Sequence, residues 1–161
     1  MSVSRVDFAT LPHSVHQAVL RHTGPVRSIR SAATGRKPAL AVVLGTDAGP
    51  VFVKGIPAND PQAASQRREA ALTPYVAGSS PRLLWQLEAA GWLLAGWEAV
   101  HGRHADYQSP EDLRLVRTAL EAVQAHQAPD EVELPTAQER WGRYADEDQA
   151  ELFAGDVLLQ A

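Results

Sequence analysis

Ala39-Leu40-Ala41-Val42-Val43-Leu44, then Thr46-Asp47-Ala48-Gly49-Pro50, then Val51-Phe52-Val53-Lys54-Gly55-Ile56 is the stretch that decides the fold. The first run is almost continuously apolar and has the length of a strand. The middle run is turn chemistry, because Asp and Gly accept the backbone angles that a reversal needs. The last run is rich in residues that suit a pleated, half-buried surface. Two such runs around a short Asp/Gly turn predict an antiparallel hairpin.

Upstream, residues 26–31 predict a short strand, followed by the small polar loop Ser31-Ala32-Ala33-Thr34-Gly35-Arg36-Lys37-Pro38. Residues 11–22 predict a helix, because Leu11, Val15, Ala18 and Val19 share one face, with Thr10 as its cap and Gly24-Pro25 as its stop. Downstream, Asn59-Asp60-Pro61 predicts a helix start, with Asp60 capping and Pro61 in the first position, where its missing N–H costs nothing. That helix is expected to run to about residue 76, ahead of Gly78-Ser79-Ser80-Pro81. Residues 82–87 and 92–98 predict two strands joined at Ala89-Ala90-Gly91. The order is helix, three strands, helix, two strands. It predicts the α+β class, an antiparallel sheet with helices segregated against it.

Composition changes near 101–108, which divides the expected organisation into residues 1–100 and 101–161. Ser109-Pro110-Glu111-Asp112 predicts a capped helix, with Asp112 bonding back to the cap and Leu113, Val116, Leu120 and Val123 as the buried face. Pro129 ends it. Thr136-Ala137-Gln138-Glu139 opens another helix through Trp141 and Tyr144, and Gly155-Asp156 precedes a strand beginning at Val157-Leu158-Leu159.

The 161 residues carry 15 Lys plus Arg against 19 Asp plus Glu, a net charge of −4, which argues against a nucleic-acid partner. Hydrophobic residues at 45% and charged residues at 21% suit a chain that folds around its own core. The absence of cysteine excludes disulfides, thiolate zinc sites and cysteine nucleophiles. Apolar runs such as 92–97 are too short for a bilayer, and the N-terminus lacks the apolar stretch of a secretory signal. A soluble cytoplasmic protein without a membrane partner is the expectation.

The most informative pair is Lys54 and Glu69. Lys54 interrupts an apolar strand, and Glu69 falls in phase with Gln62, Ser65, Leu72 and Val76 on the following helix. Arg67 and Arg68 point elsewhere. A carboxylate on a packed stripe is costly unless it is paired, and Lys54 is the cation nearest from the sheet side. A lysine held that way can place its ammonium on polyphosphate oxygens. The competing reading is an edge-strand lysine and a solvated glutamate, which the pair alone leaves ahead. The preceding loop of Ser, Ala, Thr and Gly shifts the balance, because small residues let backbone N–H groups approach an anion.

In this order, loop, hairpin, lysine and helix glutamate resemble the small lobe of the bacterial aminoglycoside phosphotransferase family, the choline/aminoglycoside kinases of protein-kinase fold. The resemblance covers most of the chain. It implies a protein-kinase-like small lobe, a five-stranded antiparallel sheet plus helix, followed by a partial helical C-lobe. Val51-Phe52-Val53-Lys54 resembles the third-strand motif, with Lys54 on the nucleotide phosphates and Glu69 orienting it. The stretch holding Ser31, Thr34, Gly35 and Arg36 resembles the phosphate-covering loop, with one glycine where protein kinases have three. Trp97-Glu98-Ala99-Val100 resembles the hinge, whose backbone at Glu98 and Val100 would hold an adenine.

The family implies transfer of the γ-phosphoryl of ATP, with Mg²⁺, to a hydroxyl of a small-molecule acceptor. Its catalytic loop, His-x-Asp-x-x-x-x-Asn, follows a strand like Gly155-Asp156-Val157-Leu158-Leu159, after which this sequence has Gln160 and Ala161. A truncated phosphotransferase is therefore expected, holding nucleotide weakly and transferring nothing. The alternative is a non-catalytic module that self-associates through Leu113, Val116, Leu120, Trp141, Leu152, Phe153, Val157, Leu158 and Leu159.

Other residues carry less. His13-x-x-His16 and His101-x-x-His104 lack a third ligand and read as surface histidines, and His126 reads as a partner for helix-end carbonyls. Ser79, Ser80 and Ser109 sit in turn or cap contexts, and Asp146-Glu147-Asp148 reads as a solvated helix end. Trp85, Trp92, Trp97 and Trp141 read as packing residues, with Trp97 a candidate wall of an adenine pocket.

Overall fold

The computed structural model describes residues 6–32, 39–127 and 129–135. The chain divides into two compact units, Met1–Pro129 and Asp130–Ala161, and every element named here belongs to the first. The expected helix from Thr136 and the strand at Val157, Leu158 and Leu159 lie outside the described residues.

The described chain is α+β, an open five-stranded antiparallel sheet in the order β1-β2-β3-β5-β4 with three α-helices. The strands are β1 (Val26–Ser31), β2 (Leu40–Thr46), β3 (Gly49–Pro57), β4 (Leu83–Ala89) and β5 (Trp92–Glu98). Register pairs Val42 with Val53 and Val53 with Gly96, so β3 is central and hydrogen-bonded on both sides. β2 reads as a continuous apolar run because both of its faces are covered, whereas the edge strand β1 is exposed along most of its length. The β4–β5 turn places Ala90 at φ 46° and Gly91 at φ 76°. Those two positive angles match the right-handed twist of the strands they join.

Helix α1 (His13–Thr23) covers one face of the sheet. Val15 and Val19 pack there with Leu40, Val42, Leu44, Val53 and Leu94, all less than 2% exposed, around Phe8, Leu11, Val51 and Trp85. Burying each such side chain stabilises the fold by roughly 1.5–3 kcal/mol. The expected Thr10 cap is not used. A short 3-10 turn (Phe8–Thr10) intervenes, capped by the Asp7 carboxylate, and the Thr10 hydroxyl donates instead to the Asp7 carbonyl. Helix α2 (Ala63–Leu72) lies over the opposite face, where Ala63 packs with Ile56 and Leu93. It begins later than expected because Asp60 Oδ1 accepts from the Gln62 N–H, closing a turn ahead of the helix.

Helix α3 (Pro110–Gln124) starts as expected, with Ser109 capping the Asp112 N–H and Pro110 in the first turn. Its predicted apolar stripe is not a buried face. Leu113 is 45% exposed, Leu120 57% and Val123 45%, because no element among the described residues packs on them. Asp112 also departs from expectation. Its carboxylate turns away from the cap to accept from the Arg103 guanidinium, 2.9 Å at Nη2, and from the Asp106 N–H at 2.7 Å. Among the described residues no helix is long and apolar enough to cross a membrane.

Those bonds hold the Asp112 carboxyl below its ordinary 3.8, at about 2, with the Arg103 hydrogen bond as the main cause and the Asp106 N–H next. A carboxylate depressed in the folded state adds stability above its unfolded pKa, and that contribution is lost as pH falls through the folded one. Thermal melts of the wild type should therefore lose stability between pH 4 and pH 2 more steeply than melts of Asp112→Asn. Parallel curves for the two proteins would remove Asp112 from that role.

Candidate functional site

Lys54 sits midway along β3, opposite Ala41 of β2 and Ala95 of β5. Partners across an antiparallel sheet share a face, so two small neighbours flank the lysine stem. It occupies a central strand, not an edge. Its ammonium donates to Glu69 Oε1 of α2, closing an ion pair between sheet and helix. The ammonium also lies 5.6 Å from the centroid of the Trp97 ring, on the neighbouring strand. Lys54 is 26% exposed and Glu69 47%, so the pair stands at the rim of the α2 layer where a ligand can reach it.

The helix reaches this geometry in a different phase from the one expected. Its buried positions are Ala63, Gln66 and Ala70, continued by Thr73, and not Gln62, Ser65, Glu69, Leu72 and Val76. Gln66 enters that stripe because its side-chain amide donates to the Leu93 carbonyl at 3.2 Å. Glu69 consequently flanks the packed stripe instead of lying in it. Arg67 reaches outward to Glu88 of β4 at 3.1 Å.

A cavity of about 340 Å³ adjoins the same face. Arg30, Ala32, Val43, Phe52 and Val100 line it, together with Glu98. Register puts Arg30, Val43, Phe52 and Trp97 in one row across the sheet. Phe52 and Lys54 are next neighbours on one face of β3, roughly 7 Å apart along the strand. The cavity is thus a largely apolar slot, with the Lys54 ammonium in the adjacent row of the same face, one step along β3 from Phe52. That combination suits a ligand with a flat apolar part and a charged oxygen-rich part.

The remaining candidate residues are placed as follows. Ser31 pairs with Val42, which puts its side chain on the α1 face, away from Lys54. Its neighbour Arg30 lines the cavity instead, and only the register distinguishes the two. Glu98 pairs with Val51, so its side chain also belongs to the α1 face, while its backbone N–H donates to the Arg82 carbonyl at 2.8 Å. Val100 lines the cavity and is 70% exposed. Thr34, Gly35 and Arg36 lie outside the described residues. Val43 and Phe52 were not singled out from sequence as site residues, although their alternation with core positions marks them as facing away from α1.

Among the described residues no group of three or more His, Asp or Glu side chains is placed to hold a metal ion. His16 Nε2 is bonded to the Phe8 carbonyl at 2.7 Å. His126 does not serve helix-end carbonyls as expected; its Nε2 lies 3.0 Å from the Ser79 hydroxyl. No protein-family model matches the sequence, and no curated protein matches it.

Proposed function

We propose that the sheet face carrying Lys54 binds a nucleoside triphosphate, as the nucleotide-holding lobe of an ATP-dependent small-molecule phosphotransferase similar to the aminoglycoside phosphotransferase family. The observation that supports this most is the Lys54–Glu69 pair standing beside an apolar cavity on one face of a five-stranded sheet. In this reading the base lies between Val43, Phe52 and Val100, and the phosphates run toward Lys54. The ammonium neutralises phosphate charge, and Glu69 fixes where the lysine head points.

The described residues do not fit a protein-held magnesium site. Glu69, the carboxylate at Lys54, is already engaged, and no other cluster of ligands stands near. Mg²⁺ is therefore taken as part of the nucleotide complex, where phosphates supply its oxygens, and no step is assigned to it. The acceptor is a small molecule bearing a hydroxyl.

Calorimetric titration of the full chain with ATP plus Mg²⁺, and separately with adenosine, tests the reading. Saturable binding is expected for ATP, at least about tenfold tighter than for adenosine, because charge-assisted contacts to the phosphates are worth more than neutral ones. Equal affinities would show that no cation serves the phosphates, and the reading would fall.

A further inference from the structure

The opposite face of the sheet carries a second cavity, of about 590 Å³, within the size range of small-molecule sites. Its apolar lining includes Val51, Leu84 and Trp85. His22, from the last turn of α1, stacks on the Trp85 ring with centroids 5.4 Å apart and planes 21° from parallel. That stack fixes the wall on which an apolar group would rest.

Two opposite charges also line this cavity, Arg82 and Glu98. They are neighbours across the sheet, since the Glu98 N–H donates to the Arg82 carbonyl at 2.8 Å. Their side chains nevertheless form no ion pair with each other, and neither has an ion-pair partner among the described residues. A simple anion would gain Arg82 but meet Glu98, and a simple cation the reverse. A small molecule carrying both charges on adjacent atoms satisfies both groups at once, and an apolar tail on it would cover Val51, Leu84 and Trp85.

We propose that this cavity binds a free apolar α-amino acid as its zwitterion, with the carboxylate on Arg82, the ammonium on Glu98 and the side chain against Val51, Leu84 and Trp85. The site does not use Lys54, because Val51 and Glu98 pair on the face away from it, although Glu98 borders both cavities.

The test is calorimetry on the full chain without nucleotide, using L-phenylalanine, N-acetyl-L-phenylalanine and L-phenylalaninamide as titrants. Phenylalanine is expected to saturate, and each blocked analogue, lacking one charge, to bind at least about tenfold more weakly. Arg82→Met should abolish the preference for phenylalanine over the amide, and the exposed position makes loss of fold unnecessary to that result. Failure of phenylalanine to saturate by about 10 mM, a range that still covers weak millimolar sites, overturns the proposal. So does equal binding of the blocked analogues, or an undiminished preference in the variant.

Discussion

Gly96→Ala is expected to lower stability by about 3 kcal/mol, the upper part of the range for forcing a methyl into a packed core. A Cβ at this position would fall inside the Trp85 ring, within contact distance of Cε2 and Cζ2 and 2.6 Å from Nε1. The indole lies on the bare backbone of β5, and its own exposure is only 9%. β5 cannot move aside, because it is hydrogen-bonded to β3 on one side and β4 on the other. The ring cannot move freely either, because it belongs to the cluster around Val15, Val19 and Leu94 and stacks on His22. In a chain of this size the loss should appear as a fall in melting temperature of roughly 10 °C. Trp85→Leu removes the ring that meets the methyl. The double variant should therefore be less destabilised than the sum of the two singles, by at least about 1 kcal/mol. Simple additivity in that cycle would mean that the indole does not rest on Gly96.

Gly96 also shows where sequence reading stops. β1 and β5 were legible to the residue, since Gly24-Pro25 and Ala90-Gly91 punctuate their starts. The β2–β3 hairpin was legible from its turn chemistry. What sequence could not supply was the lateral order of the strands. That order puts β5 beside β3, which brings Trp97 next to Lys54 and Gly96 under Trp85. Helix phase failed for a related reason. α2 holds alanines and polar side chains without a large apolar stripe, so only its tertiary partners, Ile56 and the Leu93 carbonyl, fix which side is buried. The Lys54–Glu69 contact survived that error because Glu69 lies beside the packed positions Gln66 and Ala70, close enough to reach across. α3 failed in the other direction. Its stripe of Leu113, Leu120 and Val123 is a pattern that asks for a covering partner, and pattern alone does not provide one.

Lys54→Met should separate affinity from stability. On the nucleotide side, the substitution removes a charge-assisted contact to phosphate, worth about 1.5–3 kcal/mol, so ATP affinity should fall by roughly ten- to a hundredfold. Adenosine affinity should barely change, because the slot formed by Val43, Phe52 and Val100 is untouched. On the folding side, little should happen. The pair is partly exposed on both partners, 26% and 47%, and pairs of that kind contribute about 0–1 kcal/mol. Methionine keeps the length of the lysine stem beside Ala41, Ala95 and Trp97, so packing is retained. Glu69, left without its cation, remains in contact with water and is not stranded. Glu69→Gln should give a smaller loss of ATP affinity than Lys54→Met, since it frees the ammonium without deleting it. A Lys54→Met variant that melts several degrees lower but binds ATP as the wild type does would reverse the assignment, making the lysine a structural tie between sheet and helix.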